Sequence, residues 1–238
     1  MVFQEPMSCL NPAFSIGEQI LETLKIHGCC GKSERIEVVH DLLGKVGMQE
    51  PNKIAREWPH QLSGGMNQRA MIAMAIACKP ALLIADEPTT ALDVSVQAQI
   101  LGLLRQLQQE EGMAMLFISH DLAVVSQIAD RVIVMYAGQV VETFGTEKLF
   151  NNPRHPYTGA LLRGRPENFA AKDSRFYTIP GSPPRPGDYP GGCRFHPRCE
   201  YAQQKCAVDT PDLSITRGSK KEAVRCFFPL GDESAVDR

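Results

Sequence analysis

The 238 residues contain no Gly-x-x-x-x-Gly-Lys-Ser/Thr string, the loop whose amides cradle nucleotide phosphates. They contain no run of 18 apolar residues, which excludes a membrane-spanning helix. The first residues lack the basic, apolar, small-residue order of a signal peptide. A net charge of −2 gives only weak support to nucleic-acid binding. No internal repeat is present. What remains is a chain with 43% hydrophobic residues, long enough for one large domain or a medium domain with an appendage.

The eight cysteines divide unevenly. Cys9, Cys29, Cys30 and Cys78 are scattered, whereas Cys193, Cys199, Cys206 and Cys226 crowd the tail. Together with the motifs below, this favours a reducing compartment and metal ligation over disulfides.

Apolar spacing predicts helices over 16–26 (Ile16, Ile20, Leu24) and 36–47 (Val39, Leu42, Leu43, Val46). Residues 1–6 read as a short strand. Ser63 suits the N-cap of a helix from Gly64 to about Ala77. Residues 81–86 form a continuous apolar strand, followed by a helix over 94–110, a strand over 114–119, a helix over 121–129 and a strand over 131–135. That alternation predicts parallel strands, at least from Leu82 to Val134. Ala137-Gly138 reads as a hairpin turn into 139–143. Residues 178–192 hold five prolines and four glycines, a linker composition. The tail beyond Cys193 has little apolar periodicity, so it is expected to fold around something other than a hydrophobic core.

Three constellations carry chemistry. The strand Ala81–Ala85 runs into Asp86 and Glu87, whose side chains point to different sides of an extended chain. Asp86 is placed to hold Mg²⁺ through a water, and Glu87 to face an attacking water; alternatively, Asp-Glu-Pro only ends a strand. His120 ends a second strand, where an imidazole can meet a terminal phosphate or merely cap. Gly64 and Gly65 open a helix whose freed amides and dipole favour an anion. Ser63 either caps that helix or donates to phosphate; Gln68 and Arg69 follow one turn further in. In the tail, five, six and nineteen residues separate successive cysteines. Four thiolates there can supply folding energy that a core cannot. This spacing leaves zinc, an iron–sulfur centre, two disulfides and free thiols open.

In their order, Gln4, Leu62–Gly65 with Gln68, Leu83–Pro88, Ala91-Leu92-Asp93 and His120 resemble an ABC-transporter ATPase. Phe3–Met7, Leu10-Asn11-Pro12, His155–Thr158 and Gly192–Cys199 resemble the peptide and nickel importer branch, across essentially the whole chain. The resemblance implies that Gln4 is the Q-loop glutamine, touching Mg²⁺ and water. It makes Asp86 the Walker B magnesium ligand, Glu87 the base, and His120 the switch histidine. Ser63, Gly64 and Gly65 with Gln68 become signature residues that clasp ATP held by the partner, and Asp93 the D-loop aspartate. It implies a [4Fe–4S] cluster on Cys193, Cys199, Cys206 and Cys226, with zinc as the alternative.

The implied partners are a second ATPase subunit, two transmembrane permease subunits and a periplasmic or extracellular substrate-binding protein, with no nucleic acid. The implied place is the cytoplasmic face of the inner membrane, peripherally bound. The absent phosphate loop leads to an expectation of a chain truncated at its amino terminus. Its incomplete P-loop α/β parallel sheet would leave strand 82–86 as an exposed edge, and the chain alone would not be competent. The expected organisation is a partial ATPase domain over 1–145, with a helical signature subdomain over about 7–78 and the Walker B and switch region over 79–145. A linking helical segment over 146–177 and a proline-rich linker with a cysteine-rich appendage over 178–238 complete it. The competing readings are a non-catalytic remnant or split-subunit fragment, and a soluble ABC ATPase without a transporter, which the absence of long coiled coils disfavours.

Overall fold

The computed structural model describes residues 1–90, 92–165, 177–215 and 221–231. Ala91 and the 166–176 part of the expected linking segment lie outside the described residues, as do 216–220 and 232–238 of the tail. The chain packs as two compact units, Met1–Asp121 and Leu122–Arg238.

In the first unit, α1 (Pro6–Cys9), α2 (Ile16–His27) and α3 (Arg35–Lys45) pack on α5 (Gly64–Ile76), and α4 (Pro51–Ile54) packs on α3. Ser15 and Glu18 close a capping box that starts α2. Its end is a left-handed turn at Gly28 (φ +62°), with Gly28 N–H bonded to Lys25 O and Cys29 N–H to Leu24 O. α2 buries Ile16, Ile20 and Leu24, one stripe at i, i+4 spacing. α5 is enclosed on most sides: Asn67, Gln68, Ala70, Met71, Ile72, Ala73 and Ile76 are all buried.

β1 (Leu82–Asp86) and β2 (Ala114–Ile118) pair in parallel, Leu82 opposite Ala114 and Asp86 opposite Ile118. α6 (Val94–Glu111) connects them and buries Ile100, Leu103, Leu104 and Leu107. The expected strand over 1–6 reduces to a single bridge. Val2 N–H donates to Ile84 O at 2.8 Å, Asp86 N–H to Val2 O at 2.9 Å, and α1 starts at Pro6. That bridge covers only the Ala85 end of β1; on the side away from β2 the rest of the strand is an edge of a two-stranded sheet.

The second unit holds α7 (Leu122–Ile128), β3 (Arg131–Tyr136), β4 (Gln139–Gly145), α8 (Thr146–Asn151), α9 (Pro156–Arg163), α10 (Gln204–Val208), β5 (Ser214–Ile215) and β6 (Ala223–Val224). Ala137 (φ +47°) and Gly138 (φ +79°) form the two-residue turn between β3 and β4. Both central residues are left-handed, as a type I′ hairpin requires. β3 was expected in the parallel sheet; it pairs antiparallel with β4, in the order β3-β4-β6-β5. An apolar run does not declare its partner, and the short turn made the antiparallel neighbour the nearer one.

The sheet order also corrects the expected appendage. β6 hydrogen-bonds to β4, Glu142 opposite Val224. Phe195, 2% exposed, belongs to one core with Val132, Val134, Tyr136, Phe144 and Leu149, and Cys193 and Cys199 pack against it. The cysteine-bearing segment therefore shares a hydrophobic core with the hairpin. The fold is α/β with a parallel and an antiparallel sheet.

Candidate functional site

Parallel strands bring their carboxyl ends to one side. Gln4 follows Val2 by two residues, Glu87 follows β1 by one, and His120 follows β2 by two, so three separate segments deliver side chains to one place. The Glu87 carboxylate collects them. Its Oε1 lies 2.9 Å from His120 Nδ1, and its Oε2 accepts from Gln4 Nε2 at 2.7 Å and from Thr90 Oγ1 at 3.0 Å. The hydrogen bond from His120 first, then that from Thr90, and more weakly Gln4, hold the Glu87 carboxyl below its ordinary range against the opposing effect of burial. Glu87 is thus an ionised acceptor at neutral pH. Its backbone sits at φ +44°, a strained position for a residue with a Cβ, and its N–H is tied to Ile118 O at 2.9 Å. The His120 side chain is 74% exposed and that of Glu87 22%, so the group opens to solvent.

Thr90 was missed by sequence reasoning. The available signal was its place three residues after Glu87, in a turn closed by Thr90 N–H to Glu87 O at 3.1 Å. Asp86 ends β1 half-buried, adjacent to this group.

The helix start forms a second locus. Ser63 Oγ accepts from Met66 N–H at 3.3 Å, the N-cap alternative. A Cβ on Gly64 would meet Leu92 Cδ2 at an ordinary 3.8 Å, whereas one on Gly65 would stand 2.8 Å from Val96 Cγ1. Gly65 therefore lets α5 approach the first turn of α6. Asp93 caps that turn: its Oδ1 accepts from Ser95 Oγ (2.6 Å), Val96 N–H (2.9 Å) and Ser95 N–H (3.0 Å). The Ser95 hydroxyl foremost, with these amides, lowers the Asp93 carboxyl from its usual range. Gln68 stands apart from the exposed helix start. It is 1% exposed within α5, and its Nε2 has no hydrogen-bond partner. Its neighbour Asn67, also buried and not singled out from sequence, donates through Nδ2 to Pro59 O at 2.9 Å, holding the turn that leads into Ser63.

In the second unit, Cys193, Cys199, Cys206 and Cys226 line one enclosed pocket with His155, Phe195 and Phe228, and all four are free thiols. Burial pushes Cys193 up, Cys199 to about 11 and Cys226 to about 12. Against burial, the backbone N–H groups of Phe195, Tyr201 and Phe228 pull the Cys193, Cys199 and Cys226 thiols back down in part. Such donors favour thiolate, the ligand form. Yet among the described residues no three His, Cys, Asp or Glu side chains are grouped to hold one metal ion. One zinc needs all its sulfurs at about 2.3 Å from a single point. The thiols thus share a space without converging on one ion.

The other cysteines correct the expectation against disulfides: Cys29 and Cys78 are disulfide-bonded.

Residues 1–90 match the family model described as ABC transporter, and residues 141–206 the model described as oligopeptide/dipeptide transporter, C-terminal region. The dipeptide transport ATP-binding protein DppD of Escherichia coli is 52% identical over 98% of this chain and 70% of its own length. The oligopeptide transport ATP-binding protein AppD of Bacillus subtilis is 50% identical over 96% of this chain and 69% of its own. Among solved structures, cbiO1 from Clostridium perfringens, part of the complex cbiONQ, superposes with a TM-score of 0.56 at 28% identity, over 63% of this chain and 58% of that one. The dimeric bacterial ABC transporter cassette MJ0796 gives 0.53 at 30%, over 61% and 62%.

These matches overturn the expectation of an incompetent remnant, with this chain spanning about 70% of the length of the DppD relative. The ABC transporter model matches residues 1–90, and the relatives align along nearly the whole of this chain. Similarity spread over 232 aligned residues outweighs the absence of one consensus string.

Proposed function

The chain belongs to the ATP-hydrolysing energy subunits of peptide-importing ABC transporters, and from that premise we propose how its residues divide the work. Glu87 polarises the water that attacks the terminal phosphate of ATP. His120 and Gln4 position that water and phosphate, and Thr90 fixes the Glu87 carboxylate. Asp86, with Gln4, holds Mg²⁺, which when bound neutralises charge on the phosphate oxygens. Ser63, Gly64 and Gly65 offer helix-start amides to ATP held by a second ATPase subunit, and Asp93 lies at the seam between the two chains. Gln68 supports that helix from inside. The observation that carries the reading is the convergence of Gln4, Thr90 and His120 on the one Glu87 carboxylate.

The proposed assembly has two ATPase subunits, two transmembrane permease subunits and a substrate-binding protein that delivers peptide. The proposed place is the cytoplasmic face of the membrane. Among the described residues no helix is long and apolar enough to cross one. Supporting this assembly are the relatives' names as dipeptide and oligopeptide transport proteins. In the tail, Cys193, Cys199, Cys206 and Cys226 fit a polynuclear iron–sulfur cluster better than a single zinc. Its chemistry there would be structural cross-linking of the segment.

The test is Glu87→Gln in the assembled transporter. We expect ATP turnover to fall about 10²–10⁴-fold with nucleotide affinity nearly unchanged, as for a group acting on water in the transition state. Equal losses of affinity and rate would give Glu87 a ground-state role instead.

A further inference from the structure

We infer that Cys29 and Cys78 form a reversible redox site, a dithiol that closes to a disulfide and in doing so clamps α2 to α5, the helix that starts at Ser63–Gly65. The pair is built from both sides. Cys29 follows the left-handed Gly28 turn that ends α2, its N–H fixed on Leu24 O. Cys78 follows the end of α5 and precedes Lys79, itself left-handed at φ +44° with its N–H on Ile76 O. Two helix-terminal turns thus hold the Cα atoms 5.6 Å apart, within the range a disulfide spans without moving the backbone. The bond lies at the surface, with Cys29 exposed and Cys78 half-buried, so small thiols and disulfides reach it.

Closure joins cysteines 49 positions apart and encloses α3, α4, the Ser63–Gly65 helix start and all of α5. α2 and α5 already pack together, and the cross-link fixes their ends. The oxidant is a low-molecular-weight disulfide such as glutathione disulfide. One cysteine thiolate attacks it and expels one glutathione thiolate. The second cysteine thiolate attacks the mixed disulfide and expels the other. Two protein thiols are oxidised, one glutathione disulfide is reduced to two glutathiones, and the two protons from the protein thiols pass to the expelled glutathione thiolates. Reduction reverses this, with the incoming thiolate attacking the exposed Cys29 sulfur and Cys78 leaving. The consequence for turnover rests on the proposed signature role of Ser63–Gly65: a clamped α5 reorients more slowly against its partner.

The experiment uses the full chain, equilibrated anaerobically in glutathione buffers from fully reduced to fully oxidised. It is followed by alkylation, peptide mass spectrometry and hydrogen exchange. We expect a Cys29–Cys78 peptide that forms and disappears reversibly, in wild type and equally in Cys30→Ser. Amides of 64–76 should exchange about fivefold more slowly in the oxidised form. In the assembled transporter, oxidation should slow ATP turnover about threefold or more, and Cys29→Ser should abolish that sensitivity. Alkylation of both cysteines under oxidising buffer, a bond to Cys30 instead, or a bond that reductant cannot open without unfolding would overturn the redox site. Equal turnover in the two redox states, with the bond shown to cycle, would overturn the clamp. If the transporter has no ATPase to compare, the thiol and exchange data still decide the redox site, so the two readings fail separately.

Discussion

Adjacent glycines at the start of α5 separate packing from function. Gly65→Ala places a Cβ 2.8 Å from Val96 Cγ1, closer than real Cβ contacts allow. The first turn of α6 must shift or Val96 must leave its rotamer, at a cost of about 1–3 kcal/mol. Val96→Ala removes the clashing methyl, so the double variant should recover most of that cost. Gly64→Ala meets only Leu92 Cδ2, at 3.8 Å, in a backbone without positive φ. Its fold should be unchanged or up to about 1 kcal/mol more stable, because alanine loses less backbone entropy than glycine. Function should behave otherwise. A methyl on Gly64 or Gly65 stands where amides are proposed to meet a partner's phosphate, so Gly64→Ala and Gly65→Ala/Val96→Ala should both be stable. Both should lose about tenfold or more in ATP-driven dimerisation and turnover. Urea denaturation gives the stabilities, and light scattering with a phosphate-release assay gives the function. If the double variant recovers turnover together with stability and Gly64→Ala is fully active, these glycines serve helix packing alone and the clasp is wrong.

His155 is buried and neutral, its pKa lowered to about 4 by burial. Its folded value lies below the unfolded value near 6.5, so the folded state binds fewer protons between those limits. Stability is therefore complete above pH about 6.5 and falls toward pH 4 by on the order of 3 kcal/mol. Glu142, raised by burial, works with the opposite sign, gaining stability as pH falls. His155→Asn, which keeps an acceptor for Tyr157 N–H, should flatten the acid loss in urea titrations at pH 7.5 and 5.5; parallel losses in both proteins would refute this. Anaerobic preparation should yield about four iron and four sulfide per chain, with Cys199→Ser abolishing both. One zinc, or neither metal with four alkylatable thiols in a folded tail, would remove the cluster.

What the sequence disclosed followed its periodicities. β1 was legible as an apolar run and α2 as a stripe of Ile16, Ile20 and Leu24. From two strand ends and their polar successors, Glu87 and His120 could be set at one site before any coordinates. Thr90 was hidden because its role depends on a turn, where no period runs. The burial of Gln68 was hidden for a related reason. A polar letter usually marks a surface, but α5 is enclosed on most sides, so polarity there reports an interior that polar groups help to fill. The Cys29–Cys78 bond joins residues brought together only when α2 and α5 pack. In the tail, the expectation failed on its premise. A segment without apolar periodicity can still own a core when single aromatic residues supply it. Phe195 packs with Tyr136 at 5.2 Å and with Tyr157 at 5.2 Å between ring centroids. The cysteines therefore hang on an existing apolar framework, and a metal there would add to a core rather than replace one. On that ground, losing the cluster should loosen the loops around Cys199 and Cys226 while the β3–β4 hairpin and Phe195 stay packed.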